Sequence, residues 1–259
     1  LSFHPIQVAT LRISIAGLAL SPFLFKEFKS LTRHDFKWLL AVGLAGSAIP
    51  AFCYGFAQTH ISSAIAGMLN SLTPLFTLVL GILFFAIKPN ASNLTGVLVG
   101  LFGALFLIMT AAQGPWSANL FYGSLIIIAT LCYATSGNVV KRFLPNRRSF
   151  SISVLSYTLL FPLTTIILFS TDFVEVMQND SQAGLSLLAV IFLAIFGTAI
   201  ASIFYFMLVQ RTSALFASMV AYMIPLMATI IGFFDGESIT IYHGIGLLFI
   251  ISGVYLSRN

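Results

Sequence analysis

Eleven of the twelve Lys and Arg residues fall in short gaps between long apolar runs. The first gap holds Lys26, Lys29, Arg33 and Lys37, and the next to carry cations holds Lys88. Lys141, Arg142, Arg147 and Arg148 share a third, Arg211 lies in a fourth, and Arg258 is in the C-terminal tail. Most of the runs between them carry no charge. Only 7% of the 259 residues are charged and 59% are hydrophobic, where a soluble domain carries about 25% charged residues. So few charges cannot cover the apolar surface of a water-soluble fold. The chain reads as a multi-pass, all-α integral membrane protein.

A hydrocarbon layer about 30 Å thick takes about 20 apolar residues per helix. Nine such spans are predicted, near residues 5–25, 38–58, 62–86, 93–112, 119–140, 150–171, 184–209, 213–234 and 239–256. The runs are continuously apolar and do not alternate as lipid-facing barrel strands do. The loops are too short to hold a soluble domain. Cys53 and Cys132 both fall inside spans, as packed thiols rather than a disulfide framework.

The gaps between spans alternate in character. Those at 59–62, 113–118, 172–183 and 235–238 contain no Lys or Arg, but they hold Asp172, Glu175, Asp180, Asp235 and Glu237. The positive-inside rule makes the cationic set cytoplasmic, together with the C-terminus, in an inner or plasma membrane. The net charge of +5 is therefore a topology signal and not a nucleic-acid footprint. Trp38 and Trp116 are expected at opposite membrane interfaces. Leu1 then starts outside, with neither an initiator Met nor a signal peptide before it. The expectation is that a further helix belongs ahead of it.

The second half repeats the first. An offset of 151 places Gly46 on Gly197, Ala48 on Ala199, Tyr54 on Tyr205, Ser62 on Ser213, Pro74 on Pro225 and Gly81 on Gly232. After a one-residue slip, Gly96 falls on Gly246 and Gly103 on Gly253. Span 119–140 has no counterpart in the first unit, so its partner would be the absent opening helix. The expected fold is 5+5 helices in two inverted repeats, 1–112 and 113–259, with nine spans visible. Inverted repeats of this kind build solute sites near the bilayer midplane.

Pro5 with Leu11-Arg12, the helix running Ala64–Pro74–Gly81, Ala217–Pro225–Gly232, Gly236-Glu237 and Gly246 with Gly253 together resemble the EamA family of the drug/metabolite transporter superfamily. The resemblance implies a ten-helix exporter of amino acids or other small metabolites. The chain departs from the pattern where the acid that closes the Pro helix is expected. Glu237 holds that place in the second unit, but Ala86-Ile87-Lys88 stand there in the first.

Several residues are candidates for solute contact. Pro74 and Pro225 lack an N–H and leave the carbonyls of Asn70 and Ala221 without their helical donor. They are either packing kinks or the lining of a central cavity. Asn70, Ser71 and Thr73 form the most polar turn in any span, and Asn138 is the other deep amide. Such groups make interhelical hydrogen bonds or face a solute. Tyr54, Tyr133, Tyr157, Tyr205 and Tyr222 combine an apolar ring with a polar tip. Of these, Tyr133 and Tyr222 are the deeper, while Tyr54 and Tyr205 sit toward opposite faces. Arg12 is the sole cation inside a span, and it either snorkels to the outer interface, pairs with a neighbouring helix, or anchors an anionic group of the solute.

Gly43, Gly46, Gly96, Gly100 and Gly103 form small-residue faces for close helix contact, within one chain or in a homodimer. His4, His34, His60 and His243 are scattered without metal-ligand spacing, so no metal or cofactor is expected. No deep carboxylate lies in a span, which disfavours coupling through a buried acid unless one lies in the absent opening helix; Glu237 near the outer mouth is the other candidate, or else caps or bridges helix ends. No span pairs a deep Ser or Cys with a His or an acid, so an intramembrane enzyme is not expected. The favoured reading is a secondary carrier that exports an amino acid or similar amphipathic solute by alternating access at the repeat interface. A sugar or lipid-linked solute, and a membrane assembly protein, are the alternatives.

Overall fold

The structure, a computed structural model, describes residues 2–29, 31–61, 63–111, 120–224, 227 and 241–257. Its described residues form helices and no strand. In chain order they are α1 (Pro5–Phe28) and α2 (Arg33–Ala57), α3 (Ser63–Asn70), α4 (Thr73–Phe84), α5 (Ala91–Ala111), α6 (Leu120–Phe143), α7 (Ser149–Phe169) and α8 (Phe173–Asn179). They continue with α9 (Ala183–Arg211), then α10 (Ala214–Ser218), which runs on as a 3₁₀ turn over Met219–Tyr222, and α11 (Ile241–Leu256).

Five of these helices, α1, α2, α6, α7 and α9, are long and apolar enough to cross a membrane. Thr73–Phe84, Ala91–Phe106 and Gly244–Leu256 are apolar but shorter. The predicted span 213–234 is described only in its first half, and Pro225, Gly232 and Glu237 lie outside the described residues. The same holds for Trp116. Leu185, Leu188, Phe192, Phe196 and Phe204 run along α9 more than half exposed. A surface of that kind is stable against lipid chains and not against water.

Span 62–86 is predicted as one kinked helix, but it is two. The chain turns at Ser71-Leu72, and Pro74 sits in the first turn of α4. Proline is well tolerated there because the N–H it lacks has no helical acceptor. The turn also changes the fate of the Asn70 carbonyl: the Thr73 hydroxyl donates to it at 2.7 Å.

The two ends of the bundle differ as the loop charges predict. At one end Arg147 reaches Asp35 at 2.6 Å, and Lys141 donates to the carbonyls of Gln210 and Thr212. Trp38 stacks on Phe143 there with ring centroids 3.7 Å apart. At the other end Gln7 donates to Asp172 at 2.8 Å, Ser2 meets Ser186, and His60 stacks on Tyr122. The cationic loops 24–37, 141–149 and 210–213 are thereby gathered on one face.

Helices α1 and α7 pack along their length, with Ser14 and Thr164 sharing a hydrogen bond of 2.9 Å at the seam. Helices α5 and α11 approach more closely still. A Cβ on Gly96 would stand 2.7 Å from the Gly253 carbonyl oxygen, and one on Gly103 would stand 2.9 Å from that of Gly246. The small-residue face of α5 is therefore spent within the chain. Gly253→Ala should lower thermal stability in detergent by about 1–3 kcal/mol, because the new methyl meets backbone that cannot move aside. Gly244→Ala, where a Cβ meets open space, should be neutral or slightly stabilising. Equal melting shifts for the two variants would contradict this packing.

Candidate functional site

Two helices lose their regular spacing at matching places. Residues Leu44–Ala48 in α2 and Ile195–Ile200 in α9 are π-helical, and the first residues of the two turns are separated by the same offset of 151 that relates Gly46 to Gly197. A π-turn inserts one residue and redirects the side chains around it, and such turns recur at functional sites. Here each turn presents a hydroxyl to a helix of the other half. Ser47 Oγ shares a hydrogen bond of 2.6 Å with the hydroxyl of Tyr157 on α7. Thr198 Oγ1 accepts from Arg12 on α1, at 3.2 Å from Nη2 and 3.4 Å from Nε.

Arg12 therefore points into the bundle rather than snorkelling to the interface. Burial of a guanidinium is costly unless its charge is compensated. Among the described residues Arg12 has no carboxylate partner; its hydrogen bonds end on one neutral hydroxyl. The result is a half-buried cation held by the Thr198 hydroxyl of the facing helix.

Tyr54, on α2, donates to Asn70 Oδ1 at 2.6 Å. Its ring lies 6.3 Å from that of Tyr133 on α6, tilted by 35°. Neither the Tyr133 nor the Tyr205 hydroxyl has a hydrogen-bond partner among the described residues. Tyr205 packs its hydroxyl toward Gly137, where a Cβ would stand 2.9 Å away. Asn138 Nδ2 donates to the Thr77 carbonyl at 3.0 Å, while its Oδ1 is buried and unpaired, as is Ser136 Oγ two residues earlier. Helix α6 thus holds a row of open polar groups: the Tyr133 hydroxyl, Ser136 Oγ and Asn138 Oδ1.

The other candidates are occupied. Ser71 donates to the Gly67 carbonyl, and Thr73 closes the Asn70 carbonyl, so the backbone that Pro74 leaves without a donor is not open to a cavity. Tyr222 is fully buried. Its ring covers Gly100, and its hydroxyl donates to the Val97 carbonyl at 3.0 Å. In this conformation it packs α10 against α5. Arg12, Tyr54, Tyr133 and Asn70 are brought together; Tyr222 stands apart from them, and Pro225 lies outside the described residues. Ser47 and Thr198 are functional candidates that sequence reasoning missed. They are an exact offset pair beside Gly46 and Gly197, and extending the repeat by one residue would have found them. Among the described residues no group of His, Cys, Asp and Glu is placed to hold a metal ion.

A bundle with this composition, apolar outside and carrying open polar groups inside, defines a multi-pass membrane protein built to handle a small solute. The family model described as the EamA-like transporter family matches residues 1–109 and 120–258, and the chain belongs to that family. It is a membrane transporter and not an enzyme. An uncharacterized transporter of Archaeoglobus fulgidus is 23% identical over 97% of this chain and 88% of its own. The uncharacterized inner membrane transporter YedA of Escherichia coli K12 is 27% identical over 98% of this chain and 82% of its own. A solved crystal structure superposes with a TM-score of 0.74 over 98% of this chain and 87% of its own, at 20% identity. At that identity the likeness shows the fold alone.

The Tyr54–Asn70 bond is the clearest side-chain link between α2 and the α3–α4 break. A double-mutant cycle of Tyr54→Phe and Asn70→Ala, read as thermal stability in detergent, should give a coupling of about 0.6–1.7 kcal/mol. Strictly additive losses would show that the bond does not hold the break in place.

Proposed function

We propose that the chain is a secondary carrier that exports a small amphipathic solute bearing a carboxylate, such as an amino acid, across the inner membrane by alternating access. The observation that carries this reading is Arg12. It is a cation among apolar helices with no acid opposite it among the described residues, held only by the Thr198 hydroxyl. A solute carboxylate would supply the missing charge. The Tyr133 hydroxyl, Ser136 Oγ and Asn138 Oδ1 on α6, with the Tyr205 hydroxyl, would take up its polar groups, and the rings of Tyr54 and Tyr133 would cover its apolar part.

Two inverted repeats, 1–112 and 113–259, are the proposed scaffold. The two π-turns at one offset support it. So does the exchange relation between the Gly96–Gly253 and Gly103–Gly246 contacts, since each of the two α5 glycines meets the counterpart of the other. Arg12–Thr198 and Ser47–Tyr157 both tie one repeat to the other, so rocking the repeats past each other would break and remake these two bonds. The gathering of cationic loops on one face supports a cytoplasmic assignment for that face and for the C-terminus.

Flux in proteoliposomes tests the reading. Uptake of an amino acid should saturate, and it should exceed that of the corresponding amide. Arg12→Gln should weaken it about 10- to 100-fold, the value of a hydrogen bond to a charged group, and should erase the preference for acid over amide. Unchanged flux and preference in a folded Arg12→Gln protein would remove Arg12 from the site.

A further inference from the structure

We propose that a cleft on the cationic face, between the start of α7 and the end of α9, holds the phosphate headgroup of an anionic phospholipid. The cleft has a volume of about 410 Å³ and is lined by Arg148, Ser149, Phe150, Met207, Gln210 and Arg211. It is distinct from the interior cluster around Arg12.

Two of the neighbouring cations are already engaged within the protein. Arg147 is paired with Asp35, and Lys141 caps the carbonyls of Gln210 and Thr212 at the end of α9. Arg148 and Arg211 have no hydrogen-bond or ion-pair partner for their side chains among the described residues. No carboxylate lines the cleft. Two guanidinium groups converging on one hollow repel each other unless an anion lies between them, and phosphate oxygens match their planar donor forks.

The scaffold is fixed. Gln210 Nε2 donates to the carbonyls of Leu144 and Arg147, which ties the loop before α7 to the end of α9. The spacing of Arg148 and Arg211 is therefore set by packed backbone. Ser149 and Phe150 belong to the first turn of α7, whose N–H groups lack helical acceptors, and this adds a small favourable field for an anion.

The lining chooses a lipid over a free anion. The polar groups of the cleft are Arg148, Ser149, Gln210 and Arg211, and the remainder is Phe150 and Met207. Phe150 is held edge-on against Phe23, and the lipid-exposed face of α9 begins one turn further along, at Phe204. The cleft lies where two apolar helices end in charged residues, at the depth of the headgroups. A phosphodiester can sit between the arginines while its glycerol and first acyl carbons lie on Phe150 and Met207. Inorganic phosphate would use the arginines alone. Basic pockets between membrane helices on the cytoplasmic side take anionic headgroups in this way.

The test uses the full chain, purified in neutral detergent and titrated with phosphatidylglycerol, phosphatidylcholine or inorganic phosphate, with bound lipid counted by native mass spectrometry. One phosphatidylglycerol should bind saturably. The double variant Arg148→Gln/Arg211→Gln, eluting from gel filtration like the parent, should bind it roughly 30-fold more weakly. Lys26→Gln/Lys29→Gln, which removes two cations of the same face outside the cleft, should bind as the parent does. Phosphatidylcholine should not bind, and inorganic phosphate should not displace the lipid. The proposal is overturned if the arginine variant binds like the parent, if the lysine variant loses as much, which would mean diffuse charge attraction, or if inorganic phosphate displaces the lipid, which would mean a free-anion site.

Discussion

Inside a hydrocarbon layer a polar atom has no water to bind, so every donor and acceptor must find its partner in the protein or remain open at an energetic cost. Much of this structure answers that constraint locally. Thr77, Thr135 and Thr164 each turn a hydroxyl back onto the carbonyl four residues earlier. The break before Pro74 would expose the Asn70 carbonyl, and Thr73 covers it. Against that background the groups left open stand out. The Tyr133 hydroxyl, Ser136 Oγ and Asn138 Oδ1 lie on one helix, and the guanidinium of Arg12 faces the same interior.

Close packing governs how the halves meet. Helices α5 and α11 touch backbone to backbone because Gly96, Gly100, Gly103, Gly246 and Gly253 carry no Cβ. Dispersion contacts at that range replace the hydrophobic drive that is absent between helices in lipid. The α1–α7 seam is looser and more polar, with Ser14 and Thr164 at its centre. The polar contacts at the two π-turns lie beside this second seam. A glycine-packed pair on one side and a hydroxyl-bonded pair on the other give the bundle two seams of different chemistry.

Legibility from sequence varied with the range of the interaction that decides each feature. The rough placement of several apolar helices followed from hydropathy, because burial in lipid acts on each segment by itself. Spans such as 119–140 and 150–171 correspond closely to Leu120–Phe143 and Ser149–Phe169. The break at Ser71-Leu72 did not follow, because a proline reads the same inside a kinked helix and at the start of a new one. Tyr54, Tyr133 and Asn70 were recognisable as polar groups in apolar runs. Whether each was open or engaged was not, and Tyr222 shows why: its partners, Gly100 and the Val97 carbonyl, lie more than a hundred residues away.

By itself the sequence determined that this chain lives in a membrane and that its cationic loops share a face. Each of these rests on composition and spacing along one chain, which lipid and water sort without reference to distant contacts. Tertiary structure alone decided which way Arg12 points, that Thr198 meets it while Ser47 meets Tyr157, and that Arg148 and Arg211 share a cleft. Those are pairings between residues far apart in sequence. They exist because helix packing brings particular side chains within about 3 Å of one another, a distance that no local pattern encodes.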